Sequence, residues 1–159
     1  MDPGSHTNAG TGRQGIAFGE TGRVRAMLAT DLRIDTLDRE FVDLTGEIDE
    51  FVADLGTGLL CVFVPHATAG VAIFETGAGS EPDIAAMLER VLPRDIAYNH
   101  HHGSRGHGAD HVLPVIVSPS VTIPIRDGRT ELGVWQSVVL VDRNRDNRLR
   151  SVLLRFLPA

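Results

Sequence analysis

A chain of 159 residues with 42% apolar side chains can bury one core without cross-links. Its formal charge of −6 and pI near 5.6 argue against general attraction to nucleic acid or an anionic membrane, which a basic face would provide. Cys61 is the single cysteine, so a disulfide framework is excluded. No apolar stretch approaches the ~18 residues of a membrane span and no secretory signal is visible, which predicts a soluble, cytoplasmic protein.

Residues 1–20 are rich in Gly, Ser, Thr and Asn and predict a disordered N-terminal tail that carries His6 as a bystander. One folded domain is expected over residues 21–159. From Arg23, Val24, Ala26 and Leu28 alternate with polar or flexible neighbours, and Phe41-Val42-Asp43-Leu44 follows a polar turn near Asp38. The two runs predict an opening antiparallel hairpin. Thr45 as N-cap, acidic residues in the first turn, and Ile48, Phe51, Val52 and Leu55 at helical spacing predict a short amphipathic helix stopped by Gly56.

Leu59 to Val64 is a continuous apolar run too short for a second good helix, and is expected to be a strand buried on both faces with Cys61 as small filler. His66 emerges at its end. Val71 to Phe74 predicts a further strand leading to Glu75 and a glycine-containing loop. Pro82 suits the first turn of a helix whose stripe, Ile84, Met87, Leu88, Val91 and Leu92, reads as core and ends at Pro93. After a polar loop, Val115 to Val117, Val121 to Ile125, Val134 to Val141 and Val152 to Phe156 read as mainly antiparallel strands. Two main helices among many strands favour an α+β domain built on an antiparallel sheet or sandwich.

Five of the seven histidines, His100, His101, His102, His107 and His111, crowd into that polar loop. Neutral imidazole is the commonest ligand of zinc and similar borderline metals and titrates near neutrality, so the cluster points to a metal site or acid–base chemistry. A His- and Gly-rich loop can equally be simply solvated. The spacing matches neither a zinc finger nor His-Glu-x-x-His. His66, at the end of a buried strand, offers a rigid platform, and Tyr98 and Asp110 flank the loop as partners for its rings.

Glu75 is a candidate general base or a solvated strand-end carboxylate, and Thr68 and Ser120 are hydroxyl donors beside strand ends. The loop after Glu75 matches neither a P-loop nor a dinucleotide fingerprint. Arg143 and Arg145 belong to a run of arginines suited to phosphate or carboxylate recognition, although acids alternate with them as on a solvated hairpin. Trp135 and Gln136 alternate on a strand: Trp135 is expected to pack and Gln136 to face a ligand.

Taken in order, His66-Ala67-Thr68-Ala69-Gly70 leading to Glu75, Tyr98-Asn99-His100, Asp110-His111, Ser120 to Ile125, and Asp127-Gly128 followed by Leu132-Gly133-Val134-Trp135-Gln136 resemble the YjbQ (UPF0047) family, also described as secondary thiamine-phosphate synthases. The resemblance runs from about Arg23 to the end. It implies a homotrimer of α+β subunits, with His66, His100 and His111 as ligands of a divalent metal, most simply zinc. Glu75, Tyr98, Thr68 and Ser120 take catalytic roles, and Gln136, Arg143 and Arg145 bind the ligand. The implied reaction is a weak thiamine-phosphate synthase transfer, joining a pyrimidine pyrophosphate to a thiazole phosphate; the implied partners are further copies of the chain and a phosphorylated small molecule, with no nucleic acid or membrane. Ala67, His107 and Asp110 depart from the family pattern, and His101, His102 and His107 stand outside the implied ligand set. A metal-dependent hydrolase using Glu75, or a non-catalytic metal-binding trimeric module, are the alternatives.

Overall fold

The computed structural model describes residues 26–37 and 39–159. The expected tail with His6, the start of the first alternating run at Arg23 and the turn at Asp38 lie outside the described residues. In chain order the elements are β1 (Leu28–Asp35), β2 (Phe41–Asp43), α1 (Thr45–Val52), β3 (Gly58–Phe63), β4 (Ala69–Phe74), α2 (Ser80–Val91), α3 (His107–Ile116), β5 (Ser120–Arg126), β6 (Arg129–Thr130), β7 (Ser137–Asp142) and β8 (Leu149–Pro158). They form an α+β domain of two wholly antiparallel sheets, ordered β1-β8-β3-β5-β6 and β2-β7-β4. Among the described residues, no helix is long and apolar enough to cross a membrane.

The inner faces of the sheets share one core. Leu60 and Val62 of β3, Ile123 and Ile125 of β5, and Val152, Leu154 and Phe156 of β8 meet Val71 of β4 and Val138 and Leu140 of β7, while Ile48 and Val52 of α1 close one side. On the other face of the three-stranded sheet, Leu88 and Leu92 of α2 and Ala109 and Leu113 of α3 pack with Val141. The result is three layers: large sheet, small sheet, helix pair.

Several expectations change in this architecture. The opening hairpin does not form: β1 pairs along its length with β8, and β2 pairs with β7 in the other sheet. An eight-residue ladder outcompetes the short turn, and β1 and β2 are left in different layers. The strand buried on both faces is β7, the middle of the small sheet, whereas β3 alternates, with Leu59 48% exposed and Cys61 half-buried on the outer face. Thr45 is the first helical residue rather than the N-cap, and Asp43 accepts from its backbone N–H at 2.8 Å and its hydroxyl at 2.6 Å. Of the α2 stripe, Leu88 and Leu92 are buried but Met87 and Val91 are exposed.

A third helix, α3, replaces the end of the expected histidine loop and the strand expected at Val115 to Val117. Trp135 is 73% exposed with Val134 at 91%, in a turn before β7 rather than on the strand, so Trp135 does not pack in the domain core.

Candidate metal centre

The histidine cluster is assembled from a loop laid against the first turns of α3. His107 and His111 are four residues apart and therefore share one helix face. Ala109 and Leu113, also four apart, take the face toward β7 and α2. Gly108 is what brings the loop in: a Cβ there would stand 2.5 Å from the Tyr98 Cβ and 3.2 Å from the His100 carbonyl oxygen. Gly103 turns the loop at φ 86, a left-handed conformation natural to glycine, and a Cβ there would strike the His107 ring.

Four imidazoles converge as a result. The His100 ring lies 4.0 Å from His102, 4.2 Å from His111 and 5.3 Å from His107, centre to centre. One ring nitrogen from each of His100, His102 and His107 falls within 4.8 Å of the others. His111 Nε2 stands 3.1 Å from His107 Nε2, close to the roughly 3.3 Å that separates two nitrogens sharing a tetrahedral zinc at about 2.0–2.1 Å each. His100 Nε2 is sealed from solvent and has no hydrogen-bond partner. An orphaned buried nitrogen is costly unless something occupies its lone pair.

The surroundings prepare the rings for ligation. Burial, and then the neighbouring imidazoles, push the His100 pKa below its ordinary value; burial, and then His107, do the same for His111. Both rings are thus held neutral, the form that binds metal. His107 Nδ1 lies 2.7 Å from Asp146 Oδ2, and its side chain is only 11% exposed. The Asp146 carboxylate, its pKa lowered chiefly by the Ser104 backbone N–H, stands against that nitrogen and fixes the ring from the loop side.

Asn144 anchors this arrangement from the loop between β7 and β8. Its Oδ1 accepts from the backbone N–H groups of Asp146 and Asn147, which orients its amide NH2 toward Asp110 Oδ2 at 3.3 Å and His107 Nδ1 at 3.0 Å. Asp110 is buried on α3 and ion-paired to Arg94. Burial raises its pKa, with Arg94 opposing. Behind Asn144, Asp142 Oδ1 accepts from the Asn144 backbone N–H and from Arg150 Nη2, and Asp142 Oδ2 accepts from Arg150 Nε at 2.6 Å.

His66 is separate from the cluster, with Nε2 accepting from the Ser151 backbone N–H at 2.8 Å. Its pKa is lowered first by burial and then by the charge of Arg150. Thr68 is buried beside the same end of β4. Glu75 is exposed at the opposite end, since Ala69 pairs with Asp142 and Phe74 with Ser137. Five strand steps put about 17 Å between those ends.

Tyr98 donates its hydroxyl to the Pro93 carbonyl at 3.0 Å and backs Gly108. Ser120 opens β5 in a turn with Ser118. Gln136 Oε1 accepts from the Gly133 N–H at 2.7 Å within its own turn. Arg143 is buried between Glu40 and Glu89, and Arg145 is exposed. Within one chain, then, His100 and His111 come together, joined by His107 and His102, while His66, Glu75 and Gln136 are placed elsewhere. The signal for His107 was its four-residue spacing to His111 with Ala109 and Leu113 in step, a helix face hidden among glycines.

The family model for the UPF0047 protein YjbQ-like group matches residues 30–159. The chain belongs to the YjbQ-like UPF0047 family. A UPF0047 protein of Mycobacterium tuberculosis is 58% identical over 126 residues, spanning 79% of this chain and 95% of that one. The UPF0047 protein YugU of Bacillus subtilis is 34% identical over 119 residues, 70% and 86% of the two chains. Among solved structures, a YbjQ-like protein of unknown function from Sulfolobus solfataricus superposes with a TM-score of 0.77 at 21% identity, covering 84% of this chain and 99% of that one. A hypothetical protein from Aeropyrum pernix gives 0.71 at 27% identity, covering 85% and 100%.

Proposed function

We propose that this UPF0047 protein is a metal-binding enzyme of phosphorylated small molecules, with a divalent ion, most simply zinc, held by His100, His107 and His111 and with His102 at the rim. The observation that carries this reading is the buried, unpartnered Nε2 of His100 among three other imidazoles. An all-imidazole donor set suits zinc and its borderline neighbours rather than magnesium. Bound there, zinc supplies a Lewis acid for phosphoryl oxygens. The protein's own part is to orient the rings through Asp146 and Asn144 and to keep them neutral by burial.

The reaction implied by the family resemblance is the thiamine-phosphate synthase transfer in a cytoplasmic homotrimer. Support for assembly comes from Val134, Trp135 and Val115, large apolar side chains at 91%, 73% and 83% exposure on an acidic domain. A hydrolase reading asks Glu75 to act beside the metal, and Glu75 lies at the far end of β4 from the histidines of its own chain.

The test is metal analysis of the purified full chain after exhaustive dialysis and zinc titration. One zinc per chain is expected in the natural sequence and almost none in the His100→Ala/His107→Ala double variant, with unchanged circular dichroism. Absence of zinc binding, or full occupancy in the double variant, overturns the site. Pyrophosphate release from the pyrimidine pyrophosphate and thiazole phosphate pair, lost with the metal, tests the reaction.

A further inference from the structure

A second polar concavity lies on the other side of Asn144, a cavity of about 100 Å³ walled by Arg39, Arg94, Arg143, Arg145, Glu40 and Asn144, with Asp142 at its back. Four guanidiniums face two carboxylates there, and Asp142 is already neutralised by Arg150. Arg94 is matched by Asp110. Arg39 donates only to the main-chain carbonyls of Thr36 and Asp35, and Arg145 has no hydrogen bond or ion pair among the described residues. In a chain of charge −6 this concentration of uncompensated cations is local and concave.

Arg143 decides the chemistry. Its side chain is only 8% exposed, and its Nη1 is buried with no partner. Its Nε stands 2.8 Å from Glu40 Oε1, an ion pair out of line for a hydrogen bond, and its Nη2 donates to Glu89 Oε2 at 2.5 Å. Glu89 Oε1 also accepts from the Arg94 backbone N–H. A half-exposed carboxylate from α2 thus satisfies donors that a bound oxyanion would take. The planar fork of Arg143 suits bidentate contact with such a group.

We infer that this arginine cleft is a phosphoryl-binding subsite, taking the terminal phosphate or pyrophosphate of a small molecule, with the Glu89 carboxylate as the group the ligand displaces. The volume admits a phosphoryl group. The assignment rests on the phosphorylated-substrate reading for its purpose, but not on metal. Magnesium-free inorganic pyrophosphate, with inorganic phosphate beside it, is the probe.

Calorimetry is performed on the metal-stripped full chain at fixed ionic strength. Loss of the two uncompensated cations in Arg39→Gln/Arg145→Gln is expected to weaken pyrophosphate binding at least tenfold, and Glu89→Gln to strengthen it severalfold by removing the competing carboxylate. All three positions are exposed, so the variants should keep the natural fold. No binding at millimolar pyrophosphate, an unchanged affinity in the double variant, or binding that requires metal overturns the cleft. A chain that binds pyrophosphate but no zinc overturns the metal centre alone.

Discussion

Removing the Asp142 carboxylate tests the buried polar network most directly. The Asp142 and Arg150 side chains are 1% and 2% exposed and joined by two hydrogen bonds, of 2.6 and 2.8 Å, and Asp142 also accepts the Asn144 backbone N–H at 3.0 Å. Asp142→Ala leaves a buried guanidinium and a main-chain donor unsatisfied, and breaking such a pair from one side costs about 3–5 kcal/mol. At roughly 2–4 °C per kcal/mol for a domain of this size, the melting temperature should fall by about 6–20 °C. Urea unfolding of the metal-stripped chain is the assay, since bound metal would add its own stabilisation. The Asp142→Leu/Arg150→Met pair removes both charges and should recover most of the loss. A cost below about 1 kcal/mol for Asp142→Ala would show that Arg150 finds water or another carboxylate, and would refute the network as described.

Three further outcomes follow from the site. Because the His66 pKa is lowered in the folded chain, the unfolded chain takes up that proton first as pH falls below about 6.5; stability should therefore decline from there and level off below the folded value, and His66→Gln should flatten the slope in urea midpoints. In the proposed zinc site, Asp146→Ala removes the carboxylate beside His107 Nδ1 and should weaken zinc affinity about 10–100-fold in competition with a chelating dye, while leaving the fold intact. On the proposed homotrimer, with the exposed turn at Trp135 in its interface, Trp135→Asp should lower the mass seen by light scattering from trimer to monomer with an unchanged domain; a persistent trimer would remove that turn from the interface.

The sandwich was legible where one periodicity dominated. Leu60 and Val62, Ile123 and Ile125, and Val152, Leu154 and Phe156 alternate, and each set lies on the inner face of the large sheet. Periodicity said less about which strand lies in the middle: Leu59 to Val64 and Val138 to Val141 are both continuous apolar runs, yet only the second is covered by helices on its far side. The helix α3 was hidden because Gly103, Gly106, Gly108 and Pro114 read as loop punctuation. Its helicity depends on tertiary packing of Ala109 and Leu113, which no local propensity reports. Once that segment is helical, His107 and His111 share a face, and His107 joins the histidine cluster.

The network around Asn144 bears on why polar groups are buried at this junction at all. A wholly apolar contact between α3 and the loop after β7 would be at least as stable, since buried ion pairs seldom exceed packed hydrocarbon in net contribution. Hydrocarbon, however, would leave the His107 ring free to rotate. Asn144 bonds outward from one rigid loop to Asp110 and His107 of α3, while Asp142 and Arg150 hold its backbone from the sheets. The same residue walls the arginine cleft, so the His107 ring and the shape of that cleft meet at one side chain held at both ends.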